Sequence, residues 1–355
     1  MASSRGYNSY HGRTPHGKIV LTILLILIIL AASASILLQK YVVYDDSGKP
    51  HLELPAGWSS QGDSSADTSA APDGQDLQIT IEPPQKEEPK ALAAVSLSDD
   101  PTAWTAETET AFAAGQNGFA VTMKATGGRL QYASQVPGAF PSSTAAEASS
   151  ALTGLLTEEH HSIARLSCFH DGLYAKAHLE DAGLKNTGGY IFYDGDSTNW
   201  LDPAKQGTSD YLCAVAKECA DLGFEEILLT DFSYPTVGKL NKIAYGYQEG
   251  GGYDSLAAFQ AAQLDGVLAA LKTALASYDI TLSVEVPAAW LTGGDETGSL
   301  IVQKIAARAD RIYAQPGTDG DTAALSSAVT ALNPDVTFVP ELTVPPESGD
   351  YLLLP

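Results

Sequence analysis

The chain has 355 residues, of which 43 are acidic and 20 basic, for a formal net charge of −23. That balance argues against nucleic acid as a partner, because phosphate binding needs Lys and Arg, and against a polybasic grip on anionic lipid. The three cysteines, Cys168, Cys213 and Cys219, show no metal-ligand spacing and read as core thiols.

Residues 1–18 are polar and carry Arg5, Arg13 and Lys18. Residues 19–38 hold no charge, close to the ~20 apolar residues that span a bilayer. The basic flank precedes this run, and Asp45 and Asp46 follow it. The positive-inside rule then puts the N-terminus in the cytoplasm and the bulk of the chain outside. A cleaved signal peptide, with small residues from Ala32 to Ser35, is the competing reading. The apolar run continues past that point through Ile36–Leu38, which favours an uncleaved anchor. Residues 39–85 are rich in Ser, Gly, Asp and Pro and read as a flexible linker, with a short strand-like piece at Leu77–Ile81.

From residue 86 to 355 the pattern is that of one folded domain. Apolar runs of strand length recur at 91–98, 118–124, 162–169, 226–232, 280–286, 311–315, 336–341 and 351–354. Helical stretches lie between them near 102–114, 144–158, 209–222, 254–277, 298–309 and 321–332. The seventh and eighth runs are joined by a short loop, and no helix is expected after the eighth. Eight strands with mostly helical crossovers predict an α/β fold, a (β/α)8 TIM-type barrel trimmed at its C-terminal end. A doubly wound open sheet is the alternative, but the Gly-rich phosphate turn of nucleotide folds does not follow the first strand.

The stretch from Trp200 to Pro235 shows one repeat unit most clearly. A Trp-Leu-Asp-Pro turn leads into a helix with Leu212, Val215, Ala216 and Cys219 on one side. Gly223 stops the helix, and Ile227–Thr230 forms a short buried strand ending on Asp231. Strand ends carry the chemistry of a (β/α)8 barrel, so Asp231 is the first candidate for a role.

Alternation along the strands adds others. Thr281, Ser283 and Glu285 alternate with Leu282, Val284 and Val286. Ala120, Thr122 and Lys124 alternate with Phe119, Val121 and Met123. Thr337, Val339 and Glu341 stand opposite Val336 and Phe338, and Arg311, Tyr313 and Gln315 opposite Ile312 and Ala314. In a barrel the apolar set faces the helices and the smaller or polar set fills the interior. Lys124, Glu285, Gln315 and Glu341 are therefore expected at or near the mouth, beside Asp231.

The segments SIARLSCFHDGLYAK and WLDPAKQGTSDYLCAVAKECADLGFEEILLTDFSYPT carry a further signal. With FAVTMKATGGRLQYAS, TLSVEVPAAW and ADRIYAQPG, they resemble the glycoside hydrolase-type barrel family of bacterial envelope proteins, a relative of alpha-amylase-type barrels. The resemblance runs from about Ala91 through Gly317. It rests on Asp202-Pro203, on Leu222 to Ile227, and on Asp231 at the end of strand 4, with Glu285 in the place of the family's strand 5 acid. The chain departs from the family pattern at Phe232-Ser233-Tyr234-Pro235, which lacks an Arg, at Thr122, where an Asp is usual, and at Ala125-Thr126-Gly127, where acids are usual.

The resemblance implies hydrolysis of a cell-wall or extracellular polysaccharide or oligosaccharide. Glycoside hydrolysis needs two carboxyl groups at the scissile bond. The resemblance makes Asp231 the nucleophile and Glu285 the acid, with Glu341 a third candidate that could replace Glu285 or stabilise the transition state. Substrate-binding candidates are Lys124, His170, Asp171, Trp200, Asp202, Tyr234, Trp290 and Gln315. Aromatic residues of the mouth loops, among them Tyr190, Phe192, Tyr193 and Phe232, could stack on sugars or pack the loops. His160 and His161 are expected at a helix end, in contact with its dipole. No cofactor or metal is indicated. A binding, scaffold or sensor module on the same barrel is the alternative function.

Overall fold

The computed structural model describes residues 91–157, 159–248, 251–317 and 321–355, together with the backbone of 42–44 and 50–52. The chain divides into two units, residues 1–83 and 84–355. In the first, Val42–Tyr44 pairs antiparallel with Pro50–Leu52, inside the expected linker. The expected membrane span at 19–38 and the strand at 77–81 lie outside the described residues. Among the described residues, no helix is long and apolar enough to cross a membrane.

The second unit is built on eight parallel strands. These are β1 (Ala93–Ser96), β2 (Gly118–Lys124), β3 (His161–Ser167) and β4 (Glu226–Thr230), then β5 (Thr281–Glu285), β6 (Arg311–Ala314), β7 (Thr337–Leu342) and β8 (Tyr351–Leu353). Each lies beside the next, and β8 returns to β1 through Tyr351↔Ala93, while β1 also pairs β2 through Ala94↔Gly118. The sheet is thus closed, which rules out the open doubly wound alternative.

The helices are α1 (Trp104–Ala113), α2 (Ala145–Leu155), α3 (Gly172–Ala177), α4 (Gln206–Leu222), α5 (Leu256–Ala274), α6 (Ala288–Leu291), α7 (Glu296–Ala306) and α8 (Thr322–Leu332). Helix α4 buries Leu212, Val215, Ala216 and Cys219 and ends at Gly223, whose φ of 103° is open to glycine at little cost. Cys168 and Cys219 are buried and Cys213 half-buried, all as free thiols. Helices α3 and α6 fall in stretches read from the sequence as loops. As expected, no helix joins β7 to β8.

Two apolar cores follow from the strand alternation. Inside the barrel lie Leu92, Ala94, Ala120, Ile163, Leu228, Tyr313, Val339 and Leu352. Between barrel and helices lie Phe119, Val121, Met123, Leu282, Val284, Ile312 and Ala314, packed with the apolar faces of α4, α5 and α7. Each fully buried large apolar side chain contributes roughly 1.5–3 kcal/mol.

One position breaks the expected alternation. The register of β2 against β3 shifts between Thr122, opposite Arg165, and Lys124, opposite Leu166. A bulge adds one residue to a strand and reverses the facing of the residues beyond it. Leu166 belongs to the core that faces the helices, and Lys124 shares its side, 5.6 Å from the Tyr211 ring centroid on α4. Lys124 is therefore buried behind the sheet and does not stand at the mouth.

The opposite end of the barrel is closed by a buried acid. Glu226, the first residue of β4, accepts from Ser283 Oγ at 2.5 Å and Tyr313 OH at 2.8 Å, lies 2.7 Å from His161 Nε2 and pairs with Arg311. Burial alone would raise its carboxyl. The His161 hydrogen bond and the Arg311 charge outweigh burial and hold it below the usual carboxylate value. His161 thus opens β3 and clamps an acid, in place of the expected helix-end contact. His160 stacks on Phe112 with ring centroids 3.6 Å apart.

Candidate active site

Asp231 directly follows β4, where the buried run Ile227–Leu229 gives way to the mouth. Its φ is 48°, a left-handed value that Asp tolerates better than most residues. Two hydroxyls fix the side chain. Ser167 Oγ donates to Oδ2 at 2.6 Å and Thr126 Oγ1 donates to the same atom at 2.9 Å. Oδ1 has no such donor among the described residues.

Glu285 ends β5 and Glu341 lies on β7, and both project from the interior set that the alternation defines. Arg165, from the interior set of β3, joins them. Its Nη2 donates to Glu285 Oε2 at 2.6 Å and lies 3.4 Å from Glu341 Oε1. The two carboxyls differ in exposure, with side chains 31% accessible for Glu285 and 4% for Glu341. Burial, and then the neighbouring Glu285 charge, push the Glu341 carboxyl up to about 7 against the opposing pull of Arg165.

Asp231, Glu285, Glu341, Gln315 and Trp290 line one cavity of about 330 Å³ at the C-terminal ends of the strands. That is the end at which (β/α)8 barrels carry their chemistry. The sequence-derived acids are thus brought together with Gln315 and Trp290. Tyr234 and Trp290 share the wall of a neighbouring groove.

The other sequence candidates stand elsewhere. Asp171 is fully buried, ion-pairs with Lys124 at 2.9 Å and caps α3 by accepting from the Tyr174 amide at 2.8 Å. The Lys124–Asp171 pair holds β2 to the start of α3 and does not reach the cavity. His170 lies 2.6 Å from Thr198 Oγ1 and stacks on Trp200 at 4.5 Å between centroids. Trp200 is buried and donates through Nε1 to Asp194 Oδ2 at 2.8 Å. Asp202 is buried too, accepts from the Ala204 amide at 3.0 Å, and is raised by burial. These four organise the long loop after β3. Phe192 and Phe232 are buried with that packing, whereas Tyr190 and Tyr193 are exposed.

Sequence reasoning missed Arg165, Ser167 and Thr126. Arg165 and Ser167 share the two-residue period of Ile163, which faces the barrel interior. A lone Arg on that period of an apolar strand was the available signal. Thr126 carried none, because a loop residue's reach is not written in periodicity.

Known proteins can be set beside this geometry. The glycoside hydrolase domain of PgaB (BpsB) from Bordetella bronchiseptica is 12% identical, with 71% of this chain and 84% of that chain covered and a TM-score of 0.50. A hypothetical protein from Ruminiclostridium thermocellum is 23% identical over 54% of this chain and 96% of its own, with a TM-score of 0.44. The glycoside hydrolase domain of PelA from Pseudomonas aeruginosa is 15% identical over 72% and 85%, with a TM-score of 0.40. At these identities the likeness to the Bordetella domain is one of fold. No curated protein matches the chain. Residues 100–314, more than half of the chain, match the family model described as "putative glycosyl hydrolase domain", and the chain belongs to that family.

Proposed function

We propose that this chain is a membrane-anchored glycoside hydrolase that acts outside the cell on a polysaccharide or oligosaccharide. The uncharged run at 19–38, with basic residues before it and acids after it, supports the anchor and its orientation. The observation that carries the activity is the meeting of Asp231, Glu285 and Glu341 on one cavity.

In this reading the buried Glu341 carboxyl, pushed up to about 7 by burial and the neighbouring Glu285 charge, keeps a proton near neutral pH. The buried partner, Glu341, stores it, and the more exposed partner, Glu285, delivers it to the glycosidic oxygen as the bond to the anomeric carbon breaks. Asp231, through the carboxylate oxygen left free by Ser167 and Thr126, attacks the anomeric carbon as the protonated leaving group departs, and water, giving its proton to Glu285, then displaces Asp231 to complete hydrolysis. Arg165 orients Glu285 and keeps the second negative charge of the pair bearable.

A non-catalytic carbohydrate-binding module is the second reading. It is favoured by the engagement of Glu285 with Arg165, and by the departures at Thr122 and at Phe232-Ser233-Tyr234. The test is to incubate the full chain, and its Asp231→Asn variant, with a panel of polysaccharides and to measure new reducing ends. Turnover by the first and retained binding without turnover by the second is the expected result. Binding without turnover by both would overturn hydrolysis in favour of the module.

A further inference from the structure

Beside the acid-lined cavity lies a second, larger one of about 560 Å³, within the roughly 300–1,000 Å³ of small-molecule sites. The loop after β4 forms one wall, and α5 and the start of α7 form the others. Ser233 and Trp290 line both cavities, so the two meet.

The partition between them is rigid. Trp290 Nε1 donates to Asp295 Oδ2 at 3.1 Å. The ring lies so close over Gly298 that a Cβ there would fall 2.0 Å from it. Asp295, the charged residue in the lining, is already engaged, accepting from the Gly298 amide at 3.1 Å and from Trp290. The groove lining therefore holds no cation for a phosphate or a carboxylate, and its one carboxylate is already held by two donors. It offers aromatic and neutral polar groups. Tyr245 packs edge-on against Tyr234 with centroids 5.5 Å apart, and Asn241 and Gln260 supply amides. The Tyr234 hydroxyl is buried with no hydrogen-bond partner among the described residues.

We propose that this groove binds a further neutral sugar unit of the same glycan, next to the unit held at the acids. The inference rests on the hydrolase reading and deepens it. The chain would grip several consecutive units and cut within a polymer, instead of trimming a free end. Rigid aromatic surface with neutral hydrogen-bonding groups is the chemistry that a sugar ring presents in complement: one apolar face and a rim of hydroxyls. The Glu285 carboxyl and the groove would then lie on either side of the Trp290 partition, with the scissile bond passing over it.

The test uses the full chain as Glu285→Gln, so that bound glycans survive. It is titrated with neutral glucose, mannose and N-acetylglucosamine and with their six-unit oligosaccharides in each common linkage. The six-unit member of the preferred series should bind about tenfold more tightly than the single unit. Adding Gln260→Ala, or Asn241→Ala if that variant does not fold, should erase the difference. Equal affinity for both lengths, a gain that survives both substitutions, or no binding of any neutral oligosaccharide would overturn the proposal. Turnover of the same oligosaccharides by the unsubstituted chain separates the two readings. A length-dependent gain without turnover removes hydrolysis and keeps the groove, whereas turnover without a gain does the reverse.

Discussion

The two ends of the barrel treat buried acid in opposite ways. At the floor, Glu226 alone meets Ser283, Tyr313, His161 and Arg311, so its charge is fully compensated and water is shut out. At the mouth, Arg165 alone serves Glu285 and Glu341, with Asp231 nearby and a cavity in front of them. The floor is an acid with a surplus of donors, and its carboxyl is depressed. The mouth is a surplus of acids with one cation, and a carboxyl there is pushed up to about 7. Compensation marks a group that holds the fold, and undercompensation marks one that can trade protons with a ligand.

Exchanging single groups at either end sharpens this contrast. The largest effect is expected at the mouth. Asp231→Asn should lower kcat by about 10³-fold or more while the melting temperature stays near that of the parent, because Asn accepts the same backbone angle. A stability loss as large as the activity loss would break the contrast. Glu285→Gln should lower kcat by about 10²–10⁴-fold on substrates with poor leaving groups, and less on activated aryl glycosides that need no proton. Equal losses on both kinds of substrate would remove Glu285 from the acid's role.

At the floor the expected effect is on folding. Glu226→Ala leaves the half-buried Arg311 and the buried Ser283 and Tyr313 hydroxyls without their acceptor and should cost about 3–5 kcal/mol in chemical denaturation, with kcat of the folded fraction unchanged. A selective loss of kcat there would place the floor in the chemistry.

The smallest effect is a pH dependence. The Glu341 carboxyl is raised in the folded state from its ordinary 4.5 to about 7. Between those values the folded chain keeps a proton that the unfolded chain releases. Stability should therefore fall as pH rises through that window, by no more than about 3 kcal/mol. Glu341→Gln should flatten this slope in denaturation series at several pH values. It should also shift the alkaline limb of kcat/KM, expected near pH 7 in the parent. An unchanged slope would show that Glu341 is not the proton store.

Most of the barrel could be read from alternation alone. The runs at 118–124 and 281–285 put nearly every side chain on the side that the two-residue period dictates, because the inner and outer environments differ so sharply in polarity. Helices α3 and α6 escaped notice because six and four residues are too few to show a helical period. Lys124, the exception in the first run, was misplaced for a related reason. The bulge before it is a fact of pairing between strands, and one strand's sequence does not contain its neighbour's register. The acids of the site were legible because each closes an apolar run. Arg165 was not, because its meaning depends on Glu285 and Glu341, which stand 120 and 176 positions away. The loop aromatics divided by packing, with Trp200 buried over His170 and Tyr190 left outside.

The left-handed backbone at Asp231 has a consequence for how this position can drift over generations. Such a torsion costs a bulky or β-branched side chain about 1–3 kcal/mol, whereas Gly, Asn and Asp adopt it readily. The tolerated replacements are therefore the ones that erase the carboxylate, and the longer acid that would preserve it is the one the main chain resists. If Asp231 serves the proposed hydrolysis, a lineage that abandons it can do so here in one nearly silent step, and its descendants would keep the barrel while losing the reaction.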